Sequence, residues 1–373
     1  MIAILIFAIF ISFAYAVLIC RLIFGWNSIP DFPSPENDLN IPVSVIIAFR
    51  NEENNLPALF KSLKEQTYPS EFTEIIFADD HSSDKSVEMV KNFILAGGNS
   101  SLISLKGSEI GKKTALAHAS VNAKGKLLLF TDADCILENT WISTIVNAYQ
   151  SFNPVLIAAP VIISPSSGFL SRFQSLEFFS LMASTAGSFG INDPIMVNGA
   201  NLAVDKDAYL NNIGNLNNQT ASGDDVFLLL NLKKNFPGRL FFLKSKDASV
   251  YVLPQTHIKT YIQQRMRWVS KSRFYRDKSI IISAIVVLLI NLFLLNCFVM
   301  SFFNYYFLII GGSIFIIKTI LDYSFLRVVL DFFNKKGLLK FFVLSQFLYF
   351  LYISFIGIAG NIIPSSWKGR RVN

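Results

Sequence analysis

The stretch "LLLFTDADCI", Leu127 to Ile136, runs four apolar residues and a threonine into two aspartates one alanine apart. An apolar run this short, broken by polar residues, reads as a strand buried on both faces, as parallel sheets supply. A carboxylate at the end of such a strand stays protonated or costs several kcal/mol unless a cation meets it. Where that cation comes from decides what the segment does.

The residues before it alternate between two periods. Strand-like runs "VSVIIAF" (Val43–Phe49), "EIIFA" (Glu74–Ala78), "SLISL" (Ser101–Leu105) and "KLLLF" (Lys126–Phe130) are separated by helical stretches near Leu56–Gln66, Lys85–Ala96 and Thr114–Ala123. That alternation predicts an α/β domain with a parallel sheet covered on both faces, in which ligands bind beyond the carboxyl ends of the strands. The first, second and fourth strands end in "RNEE", "DDHSSD" and "TDAD".

With 373 residues, 52% hydrophobic and 36 phenylalanines, the chain exceeds what one soluble core needs. The surplus is localised: residues 1–20, Ser279–Ile317 and Phe341–Trp367 carry no charge. At about 20 residues per crossing, these blocks predict one span, a two-span hairpin and a last apolar segment. Ala14-Tyr15-Ala16 imitates a signal-peptide cleavage site, but no Lys or Arg precedes the apolar run, which continues to Phe24, so an uncleaved anchor is expected. The expected division is an anchor over 1–24, a Pro-rich connector over 25–42, a catalytic domain over 43–255, an interfacial helix over 256–278 and a membrane region of three apolar segments over 279–373. Of the net charge of +7, eight Lys/Arg against two Asp/Glu lie from Ser279 onward and Arg21 supplies the rest, so the insert is neutral. That distribution fits anchors beside lipid headgroups and argues against nucleic acid. Three scattered cysteines offer neither a disulfide framework nor zinc spacing.

Five constellations carry chemistry. Asp132 and Asp134, two apart in an extended segment, would point the same way and face one divalent cation with the phosphates it carries; a polar turn capping the helix near Asn139 is the alternative. In "FADDHSSDKS", Asp84 has a ready account as a helix cap, whereas Asp79 and Asp80 end a strand where an acceptor could read a nucleotide base. In "EIGKKTALAHA", Lys112 and Lys113 open a helix, where a phosphate gains from lysine charge and open amides. "SGDDVFLLLNLKK" sets Asp224 and Asp225 at the head of an apolar helix, again with capping as the plain account. In "QQRMRWVSKSRFYR", Gln264, Arg267 and Trp268 share a helical face beside a membrane block, which an interfacial anchor would also explain.

In this order, "VSVIIAFRNEENNL", "DDHSSD", "GKKTAL", "TDADC", "NGANLAVDKDAY", "SGDD" and Q-R-M-R-W resemble the membrane-embedded family 2 glycosyltransferases, the branch with cellulose, chitin and hyaluronan synthases and ceramide glucosyltransferases. The resemblance covers roughly Pro42 to Trp268 and implies a nucleotide-binding GT-A fold inserted between transmembrane helices. It implies Glu52 and Asp80 against the nucleoside and Lys112 beside the diphosphate. Asp132 and Asp134 become the D-x-D pair holding Mg²⁺ or Mn²⁺, with Asp134 the direct ligand. Asp225 becomes the general base, with Asp224 on the acceptor. Gln264 and Arg267 hold the diphosphate and Trp268 flanks the acceptor pocket. Two departures stand out: Gly223-Asp224 replaces the Thr-Glu of the T-E-D motif, and fewer spans follow the insert than in cellulose synthases.

The implied reaction is inverting transfer from a nucleotide sugar, UDP-linked by expectation, to a lipid-linked or polysaccharide acceptor. A non-catalytic nucleotide-binding scaffold and a nucleotidyltransferase are the competing classes. Arg21 after the first span, and six Lys/Arg from Arg265 to Lys278, predict a cytoplasmic insert at a bacterial inner membrane. Three crossings after it would export the basic tail "WKGRRVN", so either the last block is re-entrant or interfacial, or one predicted span is wrong.

Overall fold

The strand Val43–Phe49 is buried along its whole length, as a run of seven residues without a charge requires. The computed structural model describes residues 2–33, 40–164, 166–213, 224–363, 365–367 and 370–372; part of the Pro-rich connector and Gly223 lie outside them. In chain order, α1 (Ile2–Ser28) precedes β1 (Val43–Phe49), α2 (Leu56–Lys64), β2 (Thr73–Asp79), α3 (Ser86–Leu95) and β3 (Ser100–Ser104). Then come α4 (Lys112–Asn122), β4 (Leu127–Asp132), β5 (Cys135–Leu137), α5 (Trp141–Phe152), β6 (Leu156–Ala158), β7 (Val161–Ile163) and α6 (Phe169–Gly190). β8 (Leu202–Asp205), α7 (Lys206–Ile213), α8 (Asp224–Asn235), β9 (Leu240–Phe242), β10 (Val250–Val252) and α9 (Ile258–Val269) follow. The chain closes with α10 (Lys278–Met300), α11 (Tyr305–Phe332), α12 (Phe342–Ile362), β11 (Ser365–Trp367) and β12 (Arg370–Val372).

The elements fall into two units. The first comprises Ile29–Ser164 and Met196–Leu253 and is built on a seven-stranded sheet of order β3-β2-β1-β4-β8-β6-β9. β1 to β4 form the expected parallel half, with β1 flanked by β2 and β4. Beyond β4 the sheet departs from expectation: β8 runs antiparallel to both β4 and β6. The amino end of the parallel half is closed by Glu74, buried on β2, which accepts from the Ser44 hydroxyl and from the Lys124 and Gly125 amides. A second sheet, β5-β10-β7, is joined to the first through Asn201, whose side chain takes the Trp141 indole N–H and donates to the Pro160 and Ala248 carbonyls. A buried amide with every polar group satisfied fixes register more sharply than apolar packing alone.

The second unit comprises Met1–Ser28, Pro165–Ile195 and Pro254–Asn373. Pro165–Ile195 lies within the stretch expected to form one catalytic domain, yet it joins this helical unit because α6 packs along α1. The contact is backbone on backbone: a Cβ on Gly25 would stand 1.9 Å from the Gly187 carbonyl oxygen, and one on Gly190 1.9 Å from that of Gly25. Among the described residues, four helical segments are long and apolar enough to cross a membrane: Ile2–Ser28, Lys278–Met300, Tyr305–Phe332 and Lys336–Ile362.

The hairpin partner, α11, continues past the charge-free block and carries Lys318, Asp322 and Arg327. It tolerates the first two because they pair: Lys318 Nζ lies 2.6 Å from Asp322 Oδ2 and 3.2 Å from Gln346 Oε1, and Tyr15 of α1 donates to Asp322 Oδ1 at 2.5 Å. Ionisable residues at membrane depth survive only with such partners. Met266 and Val269 of α9 pack against Ile356 and Ala359 near the end of α12, and β11 lies beside α9 as well.

Removing one member of this pair should cost more than removing both. Lys318→Met leaves Asp322 buried without its cation and is expected to lower stability by about 3–5 kcal/mol, whereas Lys318→Met/Asp322→Leu should lose markedly less. Thermal unfolding midpoints of the detergent-solubilised variants check the order, and a double variant at least as destabilised as the single would contradict it.

Candidate active site

The polar residues that end the parallel strands gather at the carboxyl edge of the sheet. Asp132 is the last residue of β4, opposite Ala48 near the end of β1. Its carboxylate is ion-paired with the ammonium of Lys112, the first residue of α4. A lysine from the neighbouring helix thus supplies a cation to the buried strand end. Burial works against the Lys112 ammonium, but Asp132, and then Asp225 and Asp134, more than offset it and hold the group above its ordinary range.

Asp134 does not sit on an extended segment. Ala133 and Asp134 form a turn between β4 and β5, so the expected parallel projection of the two aspartates is replaced by a bend. The turn is favoured because β5 leaves the first sheet to pair with β10. The helix beyond begins at Trp141, with no side-chain cap from either aspartate. Asp134 is exposed to solvent, yet protein atoms crowd around its carboxyl. That surrounding protein, followed by the charges of Asp132 and Glu52, pushes its carboxyl up to about 6 despite Lys112.

Glu52, in the loop after β1, accepts from the Asn55 side chain at 2.7 Å, and its amide donates to the Ser86 hydroxyl. Asp84 stands one residue ahead of the α3 cap position and accepts from both the Ser86 and Glu53 amides, tying the loops after β1 and β2 together. Burial raises its carboxyl, and the Ser86 and Glu53 hydrogen bonds reverse this to leave it below the usual range. Asp80 is buried, with Oδ1 on the Gly111 amide at 3.0 Å and Oδ2 4.0 Å from the Arg50 guanidinium. It therefore fixes the turn that launches α4, where Gly111 adopts a φ of 102° that favours glycine. The Gly111 amide, one of those expected to be open to a phosphate, is spent on Asp80.

Asp225 belongs to the first turn of α8, and its carboxylate accepts from the Gly199 amide at 3.2 Å and from the Val226 amide. Gly199 precedes β8, whose Leu202 pairs with Phe130 near the end of β4, which brings Asp225 to the same edge of the sheet. The sequence motif "NGANLAVDKDAY" thus holds Asp225 through Gly199 and joins the sheets through Asn201. The side chain of Asp224 lies outside the described residues. Gln264, Arg267 and Trp268 lie on α9 in the helical unit, not in the sheet unit that holds the other site residues.

Glu52, Lys112, Asp132, Asp134 and Asp225 are thus one electrostatic cluster in which carboxylates outnumber the lysine. Among the described residues, no three His, Cys, Asp or Glu side chains gather closely enough to hold an ion by themselves. One or two carboxylates with an excess of negative charge suit Mg²⁺ or Mn²⁺ that arrives with phosphate oxygens completing its shell. The oxygen donors of Asp132 and Asp134 are of the hard type that such an ion takes.

Residues 44–209 match the family model described as Glycosyl transferase family 2. Over 189 residues, the chain is 26% identical to glycosyltransferase AglE of Haloferax volcanii, covering 49% of this chain and 59% of that protein. Over 172 residues, it is 27% identical to 4,4'-diaponeurosporenoate glycosyltransferase of Staphylococcus haemolyticus, covering 43% and 45%. The matched stretch spans about half the length of these curated relatives. The structure is similar to that of mannosyltransferase PcManGT from Pyrobaculum calidifontis in complex with GDP-Man and Mn²⁺, with a TM-score of 0.55 at 14% identity over 96% of this chain and 97% of that one, a likeness of fold. Residues 44–209 thus resemble family 2 glycosyltransferases, on a sheet unit whose fold is like that of GT-A glycosyltransferases, with helices long and apolar enough to cross a membrane before and after it in sequence.

Proposed function

We propose that this chain is an inverting glycosyltransferase that moves a sugar from a nucleotide-sugar donor, UDP-linked, to a lipid-linked or polysaccharide acceptor at the cytoplasmic face of a bacterial inner membrane. The observation that carries the reading is the meeting of Asp225 with Lys112, Asp132 and Asp134 in one field at the carboxyl edge of the sheet. Each of these groups has a task in a single displacement at the anomeric carbon.

Asp225 takes the proton of the acceptor hydroxyl as its oxygen attacks. Its carboxylate is oriented from behind by the Gly199 amide, which accounts for a fixed rather than a swinging base. The bond from the anomeric carbon to the diphosphate breaks on the opposite face, and its electron pair leaves with the nucleotide. Lys112, already charged and held by Asp132, stands beside the diphosphate that gains this charge. A magnesium or manganese ion on Asp134 and Asp132 would neutralise the same diphosphate. Glu52 and Asp80 are assigned to the nucleoside. Gln264 and Arg267 are assigned to the diphosphate, and Trp268 and Asp224 to the acceptor.

The membrane side of the reading rests on sequence and fold together. The basic segment from Arg265 to Lys278 and the basic tail lie on the same side if β11 keeps its place beside α9. That arrangement suits a last apolar helix that returns the tail to the side of α9 and satisfies the positive-inside rule. A relative named for 4,4'-diaponeurosporenoate supports a lipid-type acceptor over a soluble one.

Mass spectrometry of products formed by the purified chain in lipid, with a panel of UDP- and GDP-sugars, tests the reaction; transfer from none of them would overturn it. Asp225→Asn keeps the shape of the base and removes its proton affinity, so turnover should fall at least about 10²-fold with nucleotide affinity within a few-fold of wild type. Retention of most activity would move the base elsewhere. Chelation should abolish nucleotide binding measured by calorimetry, Mn²⁺ or Mg²⁺ should restore it, and Asp134→Ala should resist restoration. Metal-independent binding of equal strength in wild type and Asp134→Ala would leave the D-x-D turn a purely structural one.

A further inference from the structure

The face of α9 that bears Gln264 and Trp268 is organised by a residue between them. Arg265 is 3% exposed, and its guanidinium reaches Glu177 of α6 through Nε at 2.9 and 3.1 Å and through Nη2 at 2.6 Å. Glu177 is itself buried, and its remaining acceptor sites are filled by the Tyr261 hydroxyl at 2.9 Å and the Tyr352 hydroxyl at 2.6 Å. Burial works against the Arg265 charge, and Glu177 more than offsets it, holding the guanidinium above its ordinary range. The other side of the same guanidinium touches the motif. Its Nη1 donates to the Gln264 side-chain oxygen, and its Cζ lies over the Trp268 ring, 4.1 Å from its centre. One rigid, planar cation is therefore clamped by α6 and, in turn, fixes a side-chain amide and an indole.

We infer that Arg265, clamped by Glu177, is the positioning residue that sets the Gln264 and Trp268 side chains for transfer. The inference rests on the proposed glycosyl transfer for what those two side chains do, and on the helical unit alone for how they are held. A buried ion pair is weak support for stability but well suited to specifying one arrangement, because each partner loses its counter-charge in any other. Arginine alone among the cations can do this: its fork bonds the carboxylate and the Gln264 oxygen while the group lies over the indole in a cation–π contact, whereas a lysine ammonium is a point charge. The sequence pattern singles out positions 264, 267 and 268 and leaves 265 unassigned. Glu177, almost ninety residues upstream, has no signal beyond being a carboxylate in an apolar helix.

The test uses the full chain in nanodiscs of phosphatidylethanolamine and phosphatidylglycerol, labelled with 5-fluorotryptophan, the Trp268 resonance being assigned by its loss in Trp268→Phe. Arg265→Lys and Glu177→Gln are expected to shift or broaden the Trp268 resonance while those of Trp26 and Trp141 stay in place, and to lower turnover about 10-fold or more with the donor that wild type uses. Tyr352→Phe, which removes one hydrogen bond from Glu177, should move the same resonance by less and in the same direction. An unmoved Trp268 resonance in both charge variants overturns the inference, as does joint displacement of the Trp26, Trp141 and Trp268 resonances, among the chain's four, in every variant including Tyr352→Phe, which would make the pair a general element of the fold. A Trp268-specific shift in the charge variants, with no turnover by the wild-type chain from any sugar nucleotide, overturns the proposed reaction and leaves the positioning itself intact.

Discussion

A carboxylate taken out of water needs a counter-charge or a full set of donors, and three of this chain's ion pairs show how the counter-charge is supplied. Asp132 at the end of a buried strand is met by Lys112, Glu177 within an apolar helix by Arg265, and Asp322 in a membrane-type helix by Lys318. Each pair joins elements remote in sequence or fastens a helix to its neighbours. The first ties α4 to β4, the second ties α9 to α6, and the third, through Tyr15 and Gln346, ties α11 to α1 and α12. The pairs differ in what they leave over. Glu177 and Asp322 are saturated by hydroxyl, amide and cation donors, whereas the cluster around Asp132 keeps an excess of negative charge, and that excess is what a divalent ion and a diphosphate can use.

The sheet unit shows how a reactive edge is assembled from opposed demands. At its amino end, the polar groups are consumed internally, Glu74 taking the Ser44 hydroxyl and two backbone amides. At its carboxyl end, part of the polar inventory is spent on scaffolding, as when Asp80 holds Gly111 and Asp84 binds two loops together. The rest is left with capacity: Asp134 is exposed, with its carboxyl pushed up to about 6. Crowding like charges is costly in a resting structure, and sites that bind a charged ligand are where such a cost is retained.

The helical unit depends on different chemistry. Where α1 and α6 cross, glycines bring backbones into contact, and a methyl group at Gly25 or Gly190 would collide with a carbonyl oxygen. Close crossing lets short polar groups such as the Ser28 hydroxyl reach the neighbouring helix, here the Gly190 carbonyl. This is the packing expected where helices cannot rely on the hydrophobic effect alone, and it gives α6 the fixed position from which Glu177 can clamp α9.

The sequence by itself determined the parallel half of the sheet and the apolar blocks, because these rest on local period, and its short motifs singled out Lys112, Asp132, Asp134 and Asp225, which the fold brings together. Strands β1 to β4 lie within a residue or two of where their apolar runs predict them, since a strand buried on both faces leaves no other reading of "VSVIIAF" or "LLLF". Tertiary structure decided what depends on partners. It made Asp132–Ala133–Asp134 a bend rather than an extended pair, because β5 leaves one sheet for another. It set β8 antiparallel to β4 and so brought Gly199 to Asp225. It carried α11 through Lys318 and Asp322, which a charge count alone takes as the end of a span. It also withdrew residues 165–195 from the sheet unit and gave Glu177 to Arg265. In each case a charge or a polar group is unfavourable in isolation and acceptable beside a particular neighbour, and that neighbour lies too far along the chain for any local pattern to announce it.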